Sequence, residues 1–121
     1  MTARRVLGLQ AGYYLATGAW AVVHRDSFER VTGRKTDYWL VRTVGALAVA
    51  VGAALAVGAR RSTPSAESVA LAVGAGVAFS AADVVGVAAG RIRPVYLGDT
   101  AMHTLLAVLA LAARRRPGAP A

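Results

Sequence analysis

Asp83, Tyr96, Asp99 and His103 lie in one stretch, SAADVVGVAAGRIRPVYLGDTAMH, between Ser80 and His103. Each can accept a hydrogen bond, hold an ion or exchange a proton. Tyr96, Asp99 and His103 recur at spacings of three and four, so a helix would carry all three on one face. Asp99 and His103 could serve as a carboxylate–histidine pair for general base work, yet no Ser or Cys nucleophile motif accompanies them. His24, Asp83, Asp99 and His103 offer nitrogen and oxygen donors compatible with zinc, but there is no H-E-x-x-H motif and no close His pair. No metal, cofactor or catalytic residue is therefore assigned. Arg42 supplies the opposite charge, and Arg42, Asp83, Tyr96, Asp99 and His103 form the candidate polar cluster.

The elements that must position these residues are apolar. The chain is 56% hydrophobic and 17% charged over 121 residues, with a mean hydropathy of +0.49. That is too apolar for an ordinary soluble domain of this size. Ala, Val, Leu and Gly gather in four blocks, and the charges fall in the gaps. This pattern predicts an all-α, four-helix transmembrane bundle forming a single membrane domain, with helices near 6–23, 39–59, 67–90 and 95–113. A block of about 21 residues gives about 31 Å of helix, enough to cross the hydrocarbon. The Pro/Gly/Ala tail, 117–121, is expected to be disordered.

Local signals refine the boundaries. Asp26 and Glu29 resemble a capping box for a short helical turn in the first loop, which Gly33 can end. Thr36 or Asp37 can cap the second long helix, and Thr63 the third, with Pro64 at its first position. Pro94 suits the opening of the fourth. Gly8-x-x-x-Gly12 and Gly86-x-x-x-Gly90 predict close helix contacts. Arg4-Arg5, the first apolar block and Ala19-Trp20-Ala21 also fit a cleavable secretory signal. Gln10, Tyr13, Tyr14 and Thr17 make that block rather polar for a signal, so a retained helix is the favoured reading.

The net charge of +8 does not point to nucleic acid, because the basic residues cluster at block ends, where they anchor helices to headgroups. The absence of cysteine excludes disulfides and thiol chemistry. The compact Arg clusters at Arg4-Arg5, Arg60-Arg61 and Arg114 to Arg116 predict a multi-pass protein of the cell membrane with both termini in the cytoplasm. Measured from the opposite side, Arg42 and Asp99 lie about one turn deep, and Asp83 and His103 about two. A lone charge at a helix centre costs roughly 2.5–3.5 kcal/mol, so Arg42 is expected to pair with Asp83 or Asp99, with His103 beside them.

Function is less determined. The residues support a small integral membrane protein of structural or interaction type with a buried polar cluster in one half of the bilayer. A small proton-linked transporter, or a binder of a small molecule or ion, is the alternative. A metal-dependent membrane enzyme has the least support. The lipid bilayer is the expected partner, and the small-residue faces allow a homo-oligomer. No repeat relates the two halves, so symmetry does not argue for an inverted-repeat transporter. Four short helices are similar in size to small multidrug transporters, but those carry an acid in the first helix where this chain has Gln10. The stretches FERVTGRKTDYWLVRTVG and AADVVGVAAGRIRPVYLGD together resemble the small four-helix bacterial membrane proteins of unknown function. The resemblance implies a membrane location and assigns no role to any residue.

Overall fold

The four apolar blocks are helices, as their length and lack of interior proline require. The structure, a computed structural model describing residues 2–115, is all-α and contains no strand among those residues. Its helices are α1 (Ala3–Val23), α2 (Arg25–Thr32), α3 (Tyr38–Ala59), α4 (Ala66–Ala88) and α5 (Tyr96–Arg115). Each of α1, α3, α4 and α5 is long and apolar enough to cross a membrane. The segment 117–121, expected to be disordered, lies outside the described residues.

The helix ends differ from the predicted caps in instructive ways. Only His24 separates α1 from α2, so it closes one helix and opens the next: its ring accepts the Ser27 N–H at 3.2 Å. Asp26 already stands in the first turn of α2, where its charge suits the positive helix end but its side chain is not the cap. Glu29 instead ties Arg25 (2.8 Å) to the Lys35 backbone N–H (2.7 Å), folding the loop back over α2. Ser65 caps α4 in place of Thr63, accepting the Ser68 N–H at 3.1 Å. Asp37 precedes α3 without making a side-chain cap bond. At the far end of α4, Gly90 takes φ +70°, and the N–H groups of Arg91 and Gly90 return to the carbonyls of Gly86 (2.9 Å) and Val87 (3.0 Å). This left-handed closure turns the chain sharply into α5.

Packing proceeds in pairs: α1 lies along α3, α4 lies along α5, and the pairs meet chiefly where α1 crosses α5. Gly18 and Gly45 let α1 and α3 touch backbone to backbone. A Cβ built on Gly18 would stand 2.5 Å from the Gly45 carbonyl oxygen, and one on Gly45 would stand 2.8 Å from that of Gly18. Gly76 does the same for α4 against the backbone of His103 at 3.2 Å. The predicted Gly8/Gly12 contact does not form within the chain, because that strip faces outward with nothing near either Cβ position. α3 and α4 are consecutive but share a much smaller contact, so they part above the turn that joins them.

The resulting distribution of polarity is reversed relative to a water-soluble bundle. Gln10, Asp83 and His103 are buried, as Leu7, Tyr14, Leu55 and Ala72 are. Meanwhile Trp39, Leu47, Val57 and Val85 are each more than 60% exposed. Large apolar side chains cover the outside of the long helices, and ionisable groups gather within.

Candidate functional site

The site is assembled by three helices. The tight turn after α4 sends α5 back antiparallel to it, which brings Asp83 level with the first turns of α5. There Thr100 Oγ1 reaches the Asp83 carboxylate at 3.5 Å. One turn separates Asp99 and His103 on α5, and their side chains meet at 3.1 Å between Oδ2 and Nε2. An ionised Asp99 would only accept, which would put the proton of this bond on Nε2. From α1, the Tyr13 hydroxyl donates to the other Asp99 oxygen. Single donor atoms of Asp83, Asp99 and His103 all lie within 4.8 Å of one another.

Aromatic rings hold this cluster in place. Phe79 stacks on the His103 imidazole, with centroids 4.9 Å apart and planes 7° from parallel. Tyr13 meets the imidazole edge-on at 5.4 Å, and Tyr14 lies 5.2 Å away. Beneath them, Gln10 spends both amide hydrogens inside the bundle, on the Ala72 carbonyl (2.8 Å) and the Tyr14 hydroxyl (3.2 Å). Two buried atoms have no partner among the described residues, His103 Nδ1 and Gln10 Oε1.

The structure thus brings Asp83, Asp99 and His103 together and puts Tyr96 one turn nearer the loops. Arg42 is placed elsewhere, contrary to the expected pairing. Its guanidinium lies 5.1 Å above the Tyr38 ring, and Nε reaches the Val22 carbonyl at 3.4 Å. The cause is local: the last turn of α1 leaves carbonyls without helical partners, and an Arg one turn into the neighbouring helix satisfies one without leaving the surface. His24 does not join the cluster either, being committed to the α2 cap. Tyr13, Phe79 and Gln10 were not foreseen as members. For Gln10 and Tyr13 the signal was their spacing with Tyr14 and Thr17, i, i+3, i+4 and i+7, which puts the four on one face of α1; nothing in the sequence marks Phe79 of α4.

Above the cluster lies a cavity of about 500 Å³. Tyr13 and Trp20 of α1, Val44 of α3, Phe79 and Asp83 of α4, and Asp99 of α5 are among its walls, and Phe28 and Lys35 line it on the loop side. The roof is a chain of contacts. Trp20 Nε1 donates to Ser27 Oγ at 2.8 Å, Phe28 meets Trp20 and Tyr38 edge-on, and Tyr38 donates to the Ala21 carbonyl at 2.7 Å. Lys35 Nζ donates to Thr32 O, Thr32 Oγ1 and Gly33 O at 2.8–3.2 Å and sits 5.3 Å from the Tyr96 ring. Burial pulls the Lys35 ammonium below its usual range; Glu29 opposes the shift and Arg93 adds to it. The Lys35 backbone N–H and the Arg25 guanidinium hold the Glu29 carboxyl below the usual carboxylate range. Arg93 packs its stem against Gly33, whose φ of +99° ends α2, so the two loops on this side interlock.

Chemically, the cluster offers two carboxylates, one imidazole and one phenol beside an apolar, aromatic chamber. Asp83, Asp99 and His103 are donors that a metal ion would accept. Their spread of up to 4.8 Å must close to roughly 3–3.5 Å for all three to share one ion at ~2.1 Å. Comparison with protein-family models, with curated proteins and with solved structures found no match for this chain.

Proposed function

We propose that the chain is an integral membrane protein that crosses the bilayer four times and binds a small amphiphilic molecule in the half of the bundle roofed by α2. The observation that carries this reading is the chamber itself. A cavity of about 500 Å³ matches the size of small-molecule sites, which are mostly apolar with a few convergent polar groups. The reversed polarity of the bundle supports the membrane setting, since ionisable groups within apolar helices face the interior and the outside is hydrocarbon-like. Retention of α1 is supported by its place among α3, α4 and α5 and by the bond from Tyr13 to Asp99. The compact Arg clusters at the chain ends and at Arg60-Arg61 favour cytoplasmic termini. On that orientation, the chamber belongs to the opposite leaflet. Asp83, Asp99 and His103 could also carry protons coupled to transport of the bound molecule.

The test uses Trp20, which lines the chamber. With Trp39→Phe, Trp20 is the one remaining tryptophan of the two in the chain. A brominated phenylalkyl probe should quench it saturably in detergent micelles. The double substitution Val44→Phe with Ala48→Leu, which narrows the chamber beside Trp20, should weaken the saturable part severalfold or abolish it. Quenching that stays linear with probe and is equal in both proteins would remove the binding reading. It would favour the second one, in which the cluster only fixes helix register; the bonds of Asp99 to Tyr13 and His103, both within the chain, speak for that role.

A further inference from the structure

Charge balance at the chamber floor is incomplete. Asp99 has a proton donor on each oxygen, Tyr13 on one and His103 on the other. Asp83 has a single long contact, 3.5 Å from Thr100 Oγ1, although it is only 6% exposed. Arg42, the base that could have balanced it, is engaged by Tyr38 and Val22. Lys35, the cation at the roof, has its three donors directed at Thr32 and Gly33. Among the described residues, the salt bridges are Arg25–Glu29 and His103–Asp99, and neither reaches Asp83. One buried carboxyl, beside the acid Asp99, therefore borders the cavity without a basic partner, and ionising it there is costly unless a cation completes it in place of a proton.

A second observation points the same way. His103 is only 3% exposed and lines the cavity, with Phe79 stacked on its ring. The rings around it, Tyr13, Tyr14 and Phe79 with Tyr96 a turn above, present faces and edges to the same space. Aromatic faces attract cations through their quadrupoles, most strongly where water is excluded. We infer that the chamber takes an organic monocation, an amine or quaternary ammonium on an apolar body, seated with its charge at Asp83 and its body among the aromatic rings. This inference rests on the chamber reading above. Volume separates it from an inorganic ion, because about 500 Å³ is many times the roughly 30 Å³ share of one water molecule. The donor spread of up to 4.8 Å is likewise wide for three ligands on one metal.

The experiment compares a 4-bromophenylbutyl-trimethylammonium with its carbon isostere, in which a tert-butyl group replaces the ammonium. Binding is read by Trp20 quenching in the Trp39→Phe protein. The cation should bind about tenfold or more tightly than the isostere, on the scale of a desolvated cation–π contact. Asp83→Asn should cut that advantage severalfold, leaving only the part that the rings supply, while saturable binding of the isostere persists and reports that the variant is folded; an undiminished advantage in Asp83→Asn would overturn the placement of the charge at Asp83. Equal affinities for the two probes in the wild-type protein would overturn the inference and leave the chamber intact. Binding of Zn²⁺ alone that excludes the ammonium probe would overturn it in favour of a metal site. Saturable binding of neither probe would remove the chamber reading itself, and the inference with it.

Discussion

At the residue scale, position along a helix determines what a polar side chain can reach. Asp99 and His103 are four apart and bond directly, but the second oxygen of Asp99 is served from another helix, by Tyr13. Tyr13→Phe removes that donor and keeps the ring. Interhelical bonds in membrane bundles contribute about 0.6 kcal/mol on average and up to about 1.7, so the variant should lose about 0.5–2 kcal/mol. Unfolding in mixed micelles containing sodium dodecyl sulfate would measure this. An unchanged midpoint would mean that Asp99 finds another donor and that the bond has no structural weight. Arg42 illustrates the opposite case. Carbonyls at the end of α1 capture a side chain whose charge and depth had suggested an internal ion pair.

At the element scale, small residues decide which helices pair, but only where a partner actually arrives. Gly18 and Gly45 join α1 to α3 with carbonyls closer than any side chain would permit, whereas Gly8 and Gly12 of the same helix face nothing within the chain. Gly18→Leu should therefore destabilise the protein by about 1–3 kcal/mol or more, since overpacking at a backbone contact forces the helices apart. Gly12→Leu should leave the unfolding midpoint of the single chain nearly unchanged. Denaturation of the two variants side by side checks the contrast, and equal losses would refute the α1–α3 crossing. The same scale governs α2. A charged, loop-like stretch becomes an ordered roof because Glu29 and Lys35 bind backbone groups within it and Arg93 packs its stem against Gly33.

At the scale of the whole molecule, the proposed topology makes a prediction of its own. The chain has no cysteine, so single substitutions report position without background. In intact cells, a membrane-impermeant maleimide should label Arg34→Cys and Arg91→Cys, on the chamber side. Ser62→Cys should react only after lysis. The reverse pattern would invert the orientation, and labelling of all three from one side would refute four crossings. Entry of a ligand is also a property of the whole. On the proposed binding role, a ligand would enter between α3 and α4, which share little contact and both line the cavity.

By itself, the sequence determined the count and approximate extent of the long helices, because block length and hydropathy are local quantities. It also determined that Asp83, Asp99 and His103 share a level, since one tight turn at Arg91–Pro94 joins their helices and geometry follows from counting residues. Tertiary structure alone decided the rest. Rotation of α1 about its axis turned Tyr13 and Gln10 inward; their spacing with Tyr14 and Thr17, i, i+3, i+4 and i+7, marks one face of α1, but spacing within one helix does not say which neighbour that face meets. The partner of Arg42 and the volume of the chamber depend on where separate helices diverge. That divergence is a sum of many small contacts, which no single spacing in the chain encodes.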